Sequence, residues 1–346
     1  MQPRRPIPSL HSLRLRLAGT AWSLALAASL LLAALKTLGT EASATTLGNA
    51  KIQFASAIEG SRILATRDDF IKHLGPFDRA ARVQTDAAVS EEVFLRFAAT
   101  NAVEWSDAEK TALAASFARL NPALTRLAAP SPATIQFIKT TGREEGGQVY
   151  TRQTAIILNA GLVAPGKESE LDQTVAHELF HVLSRNNPAL RDRCYAAIGF
   201  HKCAEVPLPA ALQARRITNP DAPVNTHFIR VQIGGRPFDA VPVIFSKSAQ
   251  FDPKAPGGLF AYIQFQFLVT PEPDAASHAI PVLTEQNSKL VEPDQLSGFW
   301  EQIGKNTQYI IHPEEIMADN FSMLVRGVKS VPSPEILEKL RTALKP

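Results

Sequence analysis

Residues His177, Glu178 and His181 stand in the order His-Glu-x-x-His. Histidines four apart share one face of a helix, so both can aim an imidazole nitrogen at a single ion. Glu178, one residue along, is turned by about 100° and reaches a water beside the ion rather than the ion itself. Five residues thus offer two ligands and a base. The flanking Val175, Ala176, Leu179, Phe180, Val182 and Leu183 are apolar, and no proline interrupts them. Two histidines and a glutamate on such a helix are costly to bury without a partner. The plainer alternative is a pair of core histidines satisfied by hydrogen bonds. Ser169 with Asp172 is read as the start of this helix, over residues 170–185, and Asn186-Asn187-Pro188 as its stop.

A catalytic zinc takes three protein ligands and keeps one position for water. A second helix is read from Pro313, a residue suited to a first helical position, and Glu315 and Asp319 share a face of it. Glu315 is the candidate third ligand, and Asp319 the carboxylate that accepts the other ring N–H of a metal histidine. His312, His201, His227 and His278 are rivals for the third position.

The His177-Glu178-Leu179-Phe180-His181 helix followed by Glu315-Ile316-Met317-Ala318-Asp319 resembles the zincin metallopeptidases, and among them the glutamate-ligand, thermolysin-like (gluzincin) group. A metzincin pattern is absent, because no third histidine follows at the short spacing. The resemblance covers two short segments and the strand before the first. It implies that His177, His181 and Glu315 hold Zn2+, that Glu178 is the general base and that Asp319 orients His177. It also implies a peptide or protein substrate lying along a sheet edge formed by the strand before the metal helix, here residues 154–159. Zinc would lower the pKa of its bound water to about 7, Glu178 would take that proton and pass it to the leaving amine, and Tyr309 or His312 would donate to the oxyanion. The rival is a non-catalytic zincin-like protein that binds zinc and a polypeptide, in which replacing Glu178 leaves function intact.

The chain that must position these residues has 346 of them and is 45% hydrophobic, enough for one large core or two modest ones. Arginines 4, 5, 14 and 16, an apolar run over 17–35 and Ala42-Ser43-Ala44 read as an export signal over 1–44. If the signal is not cleaved, 17–35 is long enough for a membrane anchor. Its removal takes five basic residues and one acidic residue, so the net charge of +3 becomes slightly negative. No argument for nucleic acid or an anionic membrane surface is left. In an exported chain Cys194 and Cys203 read as a disulfide closing a short loop, with free buried thiols as the alternative.

The fold class read from these patterns is α+β, with a zincin-like core of two metal-binding helices and a small sheet. Residues 45–130 read as a helical N-terminal region: a small strand-like piece at Ile52-Gln53-Phe54, then a helix start at Thr66, another at Ser90, and a capping box at Ser106 and Glu109 opening a helix that ends near Leu120. Residues 131–187 carry strands at 133–140 and 154–159 and the metal helix, with Glu144 and Glu145 in a solvated loop between the strands. Residues 188–311 read as an inserted β-containing lobe, with a hairpin at Gly234-Gly235, a strand over 259–269 and a short helix over 294–303. Residues 312–346 hold the third-ligand helix and a final helix.

Overall fold

The computed structural model describes residues 45–270 and 288–345. The segment 1–44, with its apolar run, and His278 lie outside them. Among the described residues no helix is long and apolar enough to cross a membrane.

The first strands are β1 (Thr46–Leu47) and β2 (Ala50–Phe54). Ser56 and Glu59 form a capping box on α1 (Ala57–Leu64). Asp68, rather than Thr66, caps α2 (Asp69–His73), its carboxylate accepting the Ile71 N–H. Then come α3 (Pro76–Val83) with proline in its first turn, α4 (Glu91–Ala99) capped by Ser90, and the short β3 (Ala102–Val103). The Ser106–Glu109 box opens α5 (Asp107–Leu127), which runs past Pro122 rather than stopping near Leu120. Leu120 and Leu124 both lie in the main core, and that burial carries the helix beyond the proline.

β4 (Thr134–Thr140), β5 (Tyr150–Arg152) and β6 (Ala155–Asn159) complete a sheet of order β1-β2-β4-β6-β5, with β3 on the remaining length of β4. Residues 45–130 carry α1 to α5 and also join this sheet, with the strand-like piece read at 52–54 lying within β2. They give three strands to the same sheet, and β2 runs parallel to β4 with Ile52 opposite Ile135 and Phe54 opposite Phe137. Strand alternation divides two cores between the faces of this sheet. Ile156 and Leu158 of β6 face the main core, while Ala155 and Ile157 face a second core under α1 to α4.

Two expectations are corrected here. β6 is not an edge: β4 pairs with it in parallel on one side and β5 antiparallel on the other, so β5 is the edge. A tight turn brings β5 back, with Gln153 at φ 52. Nor are Glu144 and Glu145 solvated. Both are buried, and Glu145 Oε1 accepts from the buried Arg82 Nε at 2.6 Å.

The helix α6 (Glu168–Asn186) follows, without a side-chain cap at its start. Asp172 is instead taken by Arg119 of α5, in two hydrogen bonds of 2.7 and 2.8 Å. Asn187 then caps α7 (Pro188–Ala196), so Asn187-Pro188 ends one helix by beginning the next. A second sheet, antiparallel throughout, has the order β11-β10-β9-β8-β7. Its strands are β7 (Phe200–Lys202), β8 (His227–Ile233), β9 (Arg236–Ser246), β10 (Ile263–Val269) and β11 (Lys289–Val291). Gly234 and Gly235 turn the β8–β9 hairpin at φ 59 and 81, the left-handed pair that matches strand twist. Residues Gly258–Tyr262 form a 3-10 turn, so the strand expected from 259 begins at Ile263. The helix expected over 294–303 is shorter, α9 (Phe299–Ile303), with the four-residue α8 (Ala210–Gln213) preceding β8.

Cys194 and Cys203 are both free thiols, which overturns the disulfide. Cys194 faces inward from α7 into the main core, whereas Cys203 packs against a third cluster on the far face of the second sheet. Burial raises the two thiols to about 12 and about 11. The chain closes with α10 (Pro313–Arg326), which ends at Gly327 in the left-handed conformation, and α11 (Pro334–Ala343). α10 packs along α6 and pairs Phe321 with Phe180, ring centroids 5.6 Å apart. The architecture is α+β.

Candidate metal centre

α6 is amphipathic in an unusual sense, since its inward face carries His181, Glu178 and Ser184 among Val175, Leu179 and Val182. Of these, His181 Nδ1 and the Ser184 hydroxyl are met from α10. Pro313 sets its first turn, the His312 side chain caps it, and Glu314, Glu315 and Asp319 project toward α6.

Each histidine is held from behind by a different carboxylate. His177 Nδ1 lies 2.9 Å from Asp319 Oδ1, and His181 Nδ1 lies 2.9 Å from Glu314 Oε1. The opposite nitrogens face a common acceptor. Glu315 Oε2 is 3.1 Å from His177 Nε2 and 3.5 Å from His181 Nε2. Ligand atoms of His177, His181 and Glu315 all fall within 4.8 Å of one another. His181 Nε2 and Glu178 Oε2 are buried without a hydrogen-bond partner. An unpaired ligand nitrogen within this convergent trio and an unpaired carboxylate oxygen of Glu178 fit a cation, because buried polar groups are otherwise paired. A His, His, carboxylate set suits zinc.

Electrostatics point the same way. Burial opposes a proton on His177, but the bonds to Asp319 and Glu315 outweigh it and hold the imidazole at about 10. Burial likewise opposes charge on His181, yet Asp221, Glu315 and Glu314 carry it well above its ordinary value. Glu315 is held well below the usual carboxylate range by the two histidines, against its burial. Burial, then Asp221, raises Glu178 to about 8. The pocket thus favours positive charge, which a divalent cation would supply with the histidines neutral.

Glu314 was not singled out by the sequence. It is 2% exposed, and its carboxylate also accepts from the Ser184 and Tyr195 hydroxyls. The only sequence cue is its place beside Glu315 on an otherwise apolar helix face. Asn219 and Asp221 also went unread: the Asn219 amide donates to Glu315 Oε1, and an Asp221 carboxylate oxygen lies within 4.8 Å of ligand atoms of Glu178 and His181. Replacing Glu314 by Gln is expected to weaken zinc binding about 10- to 100-fold, as measured by competition with a chromophoric chelator. An unchanged affinity would mean that Glu314 merely fills space.

Tyr309 stands over the site, its ring stacked on His177 at 6.4 Å and 28°, and it is 45% exposed. His312 is placed differently. Its Nδ1 accepts the Glu314 N–H at 3.1 Å, its ring packs on Tyr195, and burial lowers it to about 4. Those contacts make it a helix cap: its carbonyl accepts the Glu315 N–H at 3.1 Å, while no hydrogen bond joins its side chain to the side chains of His177, Glu178, His181 or Glu315 among the described residues. Of the rival ligands, His227 pairs with Asp192 and Tyr195, and His201 packs on Phe228. Neither joins the group. No family model, curated protein or solved structure matches the chain.

Proposed function

We propose that the protein is an exported zinc-dependent metallohydrolase that cleaves peptide bonds, built on a zincin-like core whose metal helices are α6 and α10. One observation carries this reading: His177, His181 and Glu315 converge while His181 Nε2 and Glu178 Oε2 lie buried and unpaired beside them. Export rests on the sequence of residues 1–44 alone.

When bound, zinc supplies a Lewis acid that acidifies water and polarises a carbonyl. Asp319 and Glu314 fix the tautomers and ring planes of His177 and His181, leaving each Nε2 free to ligate. Glu178, with one oxygen unpaired, takes a proton from the attacking water and returns it to the departing amine. Tyr309, whose ring stacks on His177, is the proposed donor to the developing oxyanion. Tyr309→Phe is expected to lower kcat about 10²-fold with KM little changed; an unaltered kcat removes the role.

The first test is zinc content. The purified protein should hold about one zinc per chain, and a chelator should abolish peptide cleavage reversibly. A chain that holds no metal and cannot be loaded with it would end the metal reading and leave His177 and His181 as core residues.

A further inference from the structure

Residues 217–221 cross the centre without belonging to either metal helix, and they are fastened along their length. Thr218 donates its N–H to Asp78 Oδ1 at 3.0 Å and gives its carbonyl to Arg82 Nη2 at 2.8 Å. Arg82, itself buried, is clamped by Asp78 and Glu145. Asn219 holds Glu315, and Arg185 Nη2 reaches the carbonyls of Pro220 and Asp221 at 3.5 and 3.2 Å. Asp221 Oδ1 accepts the Thr151 N–H at 2.8 Å and also the Thr151 hydroxyl.

Two of these contacts bear on access to the site. Thr151 is the middle residue of β5, so its N–H is the one a substrate strand laid on that edge would need. Asp221 occupies it. The Asp221 side chain, 8% exposed, also brings an oxygen within 4.8 Å of ligand atoms of Glu178 and His181. That trio is not a second ion site. His181 Nδ1 is taken by Glu314, so only Nε2 is left, and one imidazole nitrogen serves one ion. Three carboxylates, Glu178, Glu315 and Asp221, crowded into one buried space repel one another unless a cation lies between them. Cavities of about 210 and 110 Å³ flank the segment, and Pro220 and Asp221 form a wall of both.

We propose that Asp221 is a fourth protein donor to the ion, and that residues 217–221 are an internal plug over the position where a substrate carbonyl enters. The inference rests on the metal reading above. Displacing the plug frees the Thr151 N–H, opens the fourth position and joins the two cavities that Pro220 and Asp221 now separate. The ligand that the plug stands in for is an extended peptide with a carbonyl at Asp221's place.

The test loads the full protein with Co2+ and titrates it with acetohydroxamate, a bidentate ligand that needs an open metal position, following the visible absorption of the cobalt. Asp221→Ala should bind acetohydroxamate at least about tenfold more tightly than the parent, as expected when a closed population is removed. Peptide cleavage should rise alongside. Asp221→Asn, which keeps an acceptor for Thr151, serves the same comparison if the alanine variant does not fold. Equal acetohydroxamate affinity in cobalt-loaded parent and variants overturns the plug and leaves the metal centre standing. A parent that takes up no cobalt overturns both.

Discussion

Glu178→Gln is expected to keep its zinc and lose its catalysis, with kcat for peptide cleavage lower by about 10³-fold or more. Gln matches Glu in shape, so the packing of α6 against α10 is preserved. Glu178 is 4% exposed and its Oε2 has no hydrogen-bond partner, so the substitution breaks no bond at that atom. Burial and Asp221 raise the carboxyl to about 8, a sign that a negative charge there is poorly solvated and ready to accept a proton. The measurement is kcat beside zinc content on the same preparation. Full zinc with undiminished turnover would remove Glu178 as the base. Full zinc with no turnover in either protein would favour the non-catalytic reading, in which the centre binds a polypeptide without cutting it.

Glu315→Ala is expected to release most of the zinc and to destabilise the fold. The Glu315 carboxylate is 2% exposed and is met by His177 Nε2, His181 Nε2 and the Asn219 amide. Its removal takes away one of the three proposed ligands and leaves His177 Nε2 and the Asn219 amide without their acceptor. Breaking a buried charge pair from one side costs about 3–5 kcal/mol, so the metal-free variant should melt well below the metal-free parent. Glu315→Gln, which keeps an acceptor for Asn219, should lose zinc with a smaller stability cost. Undiminished zinc in both variants would move the third ligand elsewhere, with Asp221 first in line.

The local signals in the chain were legible where the physics is local. The His-Glu-x-x-His helix, the Ser90 cap, the Ser106–Glu109 box, the proline at the start of α10 and the Gly-Gly hairpin are all decided by neighbours within about one turn. Asp172 shows the limit of that approach. It has the type and place of a cap residue, yet a guanidinium 53 residues earlier in the chain holds it instead. The edge strand was misassigned because nothing in residues 154–159 reveals that 150–152 pairs on the outside. Glu145 reads as solvated because its partner Arg82 is far away in sequence. Asp221 sits in a proline-rich link with no period to mark it, and only tertiary folding brings it to Glu178. Cys194 and Cys203 are near in sequence but belong to opposite layers, which spacing alone does not reveal.

The placement of Glu314, Glu315 and Asp319 on a single late helix also sets an order in time. A ribosome delivers His177 and His181 long before any of the three carboxylates that answer them. Until residues past 312 have emerged, α6 carries nitrogens that its core neighbours cannot satisfy, so that region has no stable way to close. Nascent or truncated chains therefore cannot assemble the centre, however complete their first sheet. Competence arrives with α10, the helix that carries all three carboxylates.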